Sequence, residues 1–116
     1  MKKIYLATPY SGTQKQQIER FDEARRVAGK IIKQGYCVFS PICHSHPIAE
    51  ACDIDGSHDF WKAQNESWLA WCEEVWIVTM PGWEESTGVK WEMAWAVTNW
   101  RPVEFIDPVT GRKDVR

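Results

Sequence analysis

Four short apolar runs are spaced so that a helix-length stretch fits between each pair. They are Ile4-Tyr5-Leu6-Ala7, Tyr36-Cys37-Val38-Phe39, Val75-Trp76-Ile77-Val78-Thr79 and Pro102-Val103-Glu104-Phe105-Ile106. Each is bounded by turn residues and too short for a buried helix, so each reads as a strand. Between the first two, residues from about Gln16 to Gln34 place Ile18, Phe21, Ala24, Val27, Ala28, Ile31 and Ile32 on one broad stripe, with Gly35 where a C-terminal cap belongs. After the second run Ser40-Pro41 stops the strand. A long loop is expected from Ile42 to about Ser57, then a helix carrying Phe60, Trp61, Gln64, Trp68, Leu69 and Trp71. A last helix follows Pro81-Gly82 and runs to about Asn99. Strands alternating with helices predict a parallel sheet covered on both faces. The expected fold is α/β, a Rossmann- or flavodoxin-like three-layer arrangement with four to five mainly parallel strands. The turn-rich tail from Asp107 would supply a short edge strand. Residues 1–116 form one domain, with no repeat, low-complexity segment or linker.

Composition narrows the partners. Fourteen Lys and Arg stand against sixteen Asp and Glu, for a net charge of −2. No basic stripe appears outside the mixed-charge first helix, so a nucleic-acid polymer is not an expected partner. Arg20, Arg25 and Arg26 read as a solvated helix face. Lys2-Lys3 precedes an apolar stretch too short for a signal-peptide core, and no later stretch is long enough to span a bilayer. Cys37, Cys43, Cys52 and Cys72 show no CxxC spacing and read as reduced thiols of a cytoplasmic protein. Eight tryptophans exceed what a core of this size readily hides. Some are therefore expected in a ligand cleft or a subunit interface, most simply in a homodimer or higher homo-oligomer.

In parallel sheets of this kind ligands bind beyond the carboxyl ends of the strands. That brings the Thr8–Thr13, Pro41–Gly56 and Pro81–Thr87 loops around one crevice, and with them Tyr5, Thr8, Tyr10, His44, His46, Ser86 and Glu92. The segment Ser86-Thr87-Gly88-Val89-Lys90-Trp91-Glu92-Met93-Ala94-Trp95-Ala96 is the most telling. Ser86 suits the N-cap of the helix it opens, and Gly88 lets a ligand approach the backbone. The free N–H groups there form an anion seat. Glu92 lies nearly two turns in, among Trp91, Met93, Ala94, Trp95 and Ala96. A carboxylate on such a face is costly to desolvate unless it has a partner or a task.

Taken in order, Ile4-Tyr5-Leu6-Ala7-Thr8-Pro9-Tyr10, Trp68-Leu69 and Ser-x-Gly-x-x-x-Glu-x-x-x-Ala from Ser86 to Ala96 resemble the nucleoside 2-deoxyribosyltransferase family. That family includes the deoxynucleoside 5′-monophosphate N-glycosidases and small uncharacterised relatives, and the resemblance covers nearly the whole chain. It implies Glu92 as the nucleophile, Tyr5 as the residue that orients it, and Ser86 at the 5′-phosphate. It also implies assembly with active sites near subunit contacts. The expected activity is cleavage of the N-glycosidic bond, or base exchange, on a nucleoside or its 5′-monophosphate, with 2′-deoxyribose the expected sugar and no cofactor. The carboxylate would stabilise or capture the oxocarbenium-like centre at C1′. Asn65 departs from the pattern, standing where the family has an aspartate that contacts or protonates the leaving base. An amide hydrogen-bonds a base but is no general acid. Glu66, Asp59 or Glu85 would be the carboxyls to substitute for it.

Other readings compete. Cys43, His44, His46 and Cys52 share one stretch, yet only Cys43 and His46 are paired at a ligand-like spacing, so no metal site is expected. His44 and His46 are instead expected to reach base or phosphate. Trp91 and Trp95, four residues apart, suit packing better than stacking on a base. Two further functions stay open: a catalytically silent nucleotide-binding module on the same scaffold, and an oligomeric interaction domain using its tryptophans.

Overall fold

The computed structural model describes residues 1–54 and 58–114. Its elements run β1 (Lys3–Ala7), α1 (Gln14–Lys33), β2 (Cys37–Phe39), α2 (Pro41–Cys52), α3 (His58–Trp71), β3 (Glu74–Val78), α4 (Thr87–Thr98) and β4 (Val103–Ile106). The sheet order is β2-β1-β3-β4, every pairing parallel. The chain reverses its direction of travel across the sheet between β1 and β3, which is where a ligand crevice opens in doubly wound sheets.

Side-chain alternation along the central strands divides the core into two layers. Ile4 and Leu6 of β1, with Trp76 and Val78 of β3, pack on Val27, Ala28 and Ile31 of α1. Tyr5 and Ala7, with Val75 and Ile77, face Leu69 of α3 and Val89 and Ala96 of α4. Because Tyr5 belongs to the second layer, its hydroxyl points toward α4. The expected three-layer α/β fold is the one observed.

Thr13 and Gln16 start α1 with a reciprocal capping box, and Gly35 follows its end at φ 100°. Asp107 N–H bonds Arg112, Asp114 N–H bonds Phe105, and Ile106 pairs antiparallel with Lys113, so the tail returns along β4 as a single bridge.

The predicted loop after β2 is instead largely helix. Ser40 caps α2 by accepting from Cys43 N–H at 3.3 Å, with Pro41 in the first turn. Ser-Pro stops a strand, but it equally starts a helix, since proline's fixed φ and missing N–H suit the first turn. Pro47 inside α2 and the scattered polar residues hid the periodicity. The last part of that predicted loop, Asp55, Gly56 and Ser57, lies outside the described residues.

Candidate active site

The C-terminal ends of β1, β2 and β3 open onto a cavity that α3 and α4 close from one side. Water-sized spheres find about 60 Å³ of space in it, and the empty space reaches about 560 Å³ once the open solvent at its mouth is counted. Six of the residues nominated from sequence line it: Thr8, Tyr10, Asn65, Ser86, Gly88 and Glu92.

Glu92 is 5 % exposed and Tyr5 fully buried. The Tyr5 hydroxyl donates a hydrogen bond to Glu92 Oε2. Burial drives the Glu92 carboxyl up to about 8, with the Tyr5 hydrogen bond pulling the other way. Tyr5 itself is pushed well above its ordinary value by burial and by the glutamate beside it. No other carboxyl lines the cavity among the described residues. Asp59, Glu66 and Glu85 are exposed and take no part in its wall.

Ser86 is the N-cap of α4, accepting from Val89 N–H at 3.2 Å. Its own O–H remains free to donate, and the first N–H groups of the helix have no intrahelical acceptor. A Cβ built on Gly88 would stand 3.7 Å from His58 Nδ1 and 3.8 Å from Ser86 Oγ, ordinary contacts. Packing therefore does not demand glycine there; its absent side chain leaves the helix start open to the cavity.

Two nominated histidines face elsewhere. His44 lies against Phe39 and Trp68. His46 stacks on Phe21, and its Nδ1 stands 2.5 Å from the Tyr10 hydroxyl, so it steadies a cavity residue from behind. Residues two apart on a helix point about 200° apart, so both could not face one cleft once α2 formed. Pro41, Ile42 and Ser45 are the α2 residues that do. The described residues hold no cluster of three His, Cys, Asp or Glu positioned for a metal ion. Cys43 and Cys72 are raised by burial, Cys72 to about 11, and neither lines the cavity. Trp91 packs against His58 and Lys62, and Trp95 against Arg101, so neither offers a stacking face to the cavity.

Sequence reasoning missed His58 and Trp61, which line the cavity beside Asn65. Their spacing, 58, 61 and 65, is a helical stripe that was legible once the crevice-facing side of α3 was known. Arg20 also departs from its reading as a solvated residue. Its guanidinium donates to the Ser11 carbonyl and lies against Gly82, where an added side chain would collide with it. Arg25 and Arg26 do sit on the exposed face, paired with Asp22.

The sequence model of a family described as a domain of unknown function, DUF1937, matches residues 2–107. The chain belongs to that family. No curated protein matches it. Among solved structures, this DUF1937 chain is similar to a 2-deoxyribosyltransferase from the psychrotolerant bacterium Bacillus psychrosaccharolyticus. The TM-score is 0.60 and the identity 23%, over 98% of this chain and 77% of the other. That likeness carries the fold. No helix among the described residues of the DUF1937 chain is long and apolar enough to cross a membrane.

Proposed function

We propose that this chain cleaves the N-glycosidic bond of a nucleoside or nucleoside 5′-monophosphate, with Glu92 as the nucleophile. The observation that carries the reading is the setting of Glu92: buried, lining a cleft, held by Tyr5 and, among the described residues, by no cation. The likeness to a protein named 2-deoxyribosyltransferase supports the same chemistry. A Glu92 oxygen attacks C1′ and the C1′–N bond breaks, its electron pair leaving with the base. Tyr5 keeps the attacking carboxylate aimed. Water then attacks the glycosyl ester and releases the sugar, or a second base takes it. Asn65 hydrogen-bonds the departing base, and the proton the base requires comes from solvent.

The same cavity suits a 5′-phosphate at the start of α4, where the Ser86 hydroxyl and free N–H groups converge with His58 alongside. Lys and Arg are missing from the described cavity wall, so these groups carry the whole interaction. Homo-oligomerisation belongs to the same reading, through the tryptophans that the core leaves uncovered.

Incubation with a panel of nucleosides and 5′-monophosphates, followed by chromatography for free base, tests the assignment. Wild type releases base and folded Glu92→Gln releases it at least about a thousandfold more slowly. Equal turnover by the two refutes it. A silent nucleotide-binding module, the reading that Asn65 favours, would bind nucleotide and release no base.

A further inference from the structure

Two buried polar side-chain atoms among the described residues have no hydrogen-bond partner within the protein: Thr8 Oγ1 and Trp61 Nε1. Thr8 is 5 % exposed and Trp61 8 %, and both line the cavity that holds Glu92. A buried donor left unpaired is costly, and folded proteins rarely keep one without a use. Two of them on one small cavity mark places where a ligand completes the bonding. Resting on the nucleoside reading above, we propose that Thr8 and Trp61 bind the ring hydroxyls of the pentose and so determine pentose specificity.

The order of side chains along α3 supports the placement. His58, Trp61 and Asn65 form one stripe on the cavity wall, spanning about 10 Å at 1.5 Å per residue. His58 lies beside Gly88, at the α4 start that suits the 5′ end of the ligand. Asn65, at the other end, is the group placed to meet the base. Trp61 stands between them, abreast of the sugar that Glu92 attacks. Thr8 lies on the same strand exit as Tyr5, three residues beyond the tyrosine that holds Glu92. The chemistry matches as well. An indole N–H only donates, a threonine hydroxyl donates and accepts, and a sugar hydroxyl answers both.

The test is a ligand series read against conservative variants, in a Glu92→Gln background so that no ligand is consumed. The probes are the ribo, 2′-deoxy, 3′-deoxy and 2′,3′-dideoxy forms of adenine, guanine, cytosine and uracil nucleosides, with Kd measured by titration calorimetry. The dideoxy form should bind about tenfold or more weaker than the form carrying the recognised hydroxyls, because its loss leaves protein donors unpaired. Trp61→Phe and Thr8→Val should weaken the hydroxyl-bearing ligand about tenfold and the dideoxy ligand hardly at all. Thr8→Val should also keep or raise the melting temperature, since it removes a buried hydroxyl with no protein partner. That readout keeps the proposal testable if Trp61→Phe fails to fold. Equal weakening of every ligand by the variants, no weakening, or no binding of any member of the series overturns it. Hydroxyl-dependent binding without base release in the native protein would uphold the pentose site while refuting the glycosidase reading. Base release with no hydroxyl dependence would do the reverse.

Discussion

Glu92 and Glu74 are both buried carboxylates, and only one has a cation. Glu74 accepts from Lys2 Nζ at 2.6 Å and from the Trp76 indole at 2.8 Å. Burial works to raise it, yet these partners hold it below its ordinary value. Glu92 has Tyr5 alone among the described residues, and burial carries it from an ordinary 4.5 to about 8. The difference separates a carboxylate that anchors the sheet from one whose setting fits the nucleophile proposed above. It also has a thermodynamic sign. Between about pH 4.5 and 8 the folded chain holds a proton on Glu92 that the unfolded chain has released, so raising pH through this window favours unfolding. Glu92→Gln lacks that proton. Its melting temperature should equal that of wild type near pH 4.5, rise above it progressively toward pH 8, and keep a constant lead beyond. Thermal melts across that range check this; a lead independent of pH would place the carboxyl outside the buried setting. Catalysis runs opposite to stability, because the nucleophile must be ionised. The pH profile of kcat/KM for base release should climb to a plateau with a midpoint near 8. Tyr5→Phe removes the hydrogen bond that lowers Glu92, so its midpoint should move to higher pH with little loss of fold. An unmoved midpoint would make Tyr5 a packing residue only.

Among the elements, α4 sets the two ends of the proposed ligand apart on one helix. Ser86 caps its start and Glu92 lies six residues on, about 9 Å along the axis. The Glu92 side chain slopes back toward the helix start, which shortens the gap toward the reach of a 5′-phosphorylated pentose. Ser86→Ala should therefore weaken a 5′-monophosphate about tenfold while leaving the matching nucleoside nearly unchanged, and cost about 1 kcal/mol of stability through the lost cap. Comparison of kcat/KM for the two substrate forms in each protein gives the answer. If the forms suffer equally, Ser86 is a cap and nothing more. Helix α2 contributes Pro41, Ile42 and Ser45 to the cavity, and its winding carries His44 and His46 away from it.

At the scale of the whole molecule the tryptophans are divided four ways. Trp76 is in the core, Trp61 is buried on the cavity wall, and Trp100 is 92 % exposed, with the other five half-buried. Trp100 adopts φ 60°, a left-handed conformation costing a non-glycine residue roughly 1–2 kcal/mol. A large aromatic held in solvent at such a backbone position suits a contact with another copy. Sedimentation at micromolar concentration should find a dimer or larger assembly. Trp100→Gly should dissociate it while relieving the backbone. A wild-type monomer would exclude homotypic assembly, and a Trp100→Gly assembly as tight as wild type would place the interface elsewhere.

The four apolar runs, the periodic stripe of α1 and the helix-length stretches between the later runs determined the parallel three-layer fold from sequence alone, because burial on both faces of a short strand leaves a local mark. Ser86 as a cap and Glu92 as a carboxylate on an apolar face were legible for the same reason: each violates or completes a rule within a few residues. Tyr5 against Glu92 came from family resemblance and not from spacing, since 87 residues separate them and only sheet and helix packing bring them together. Helix α2 was concealed by Pro47 and by a Ser-Pro pair whose two meanings cannot be separated without neighbours. With α2 misread, His44 and His46 were assigned to a cavity that helical rotation denies them. His58 and Trp61 share a helical spacing with Asn65, but that spacing does not say which face of α3 the cavity takes. Which face of α3 meets the strand ends is decided by where Leu69 packs against β1 and β3, and that is settled only when the whole chain has folded.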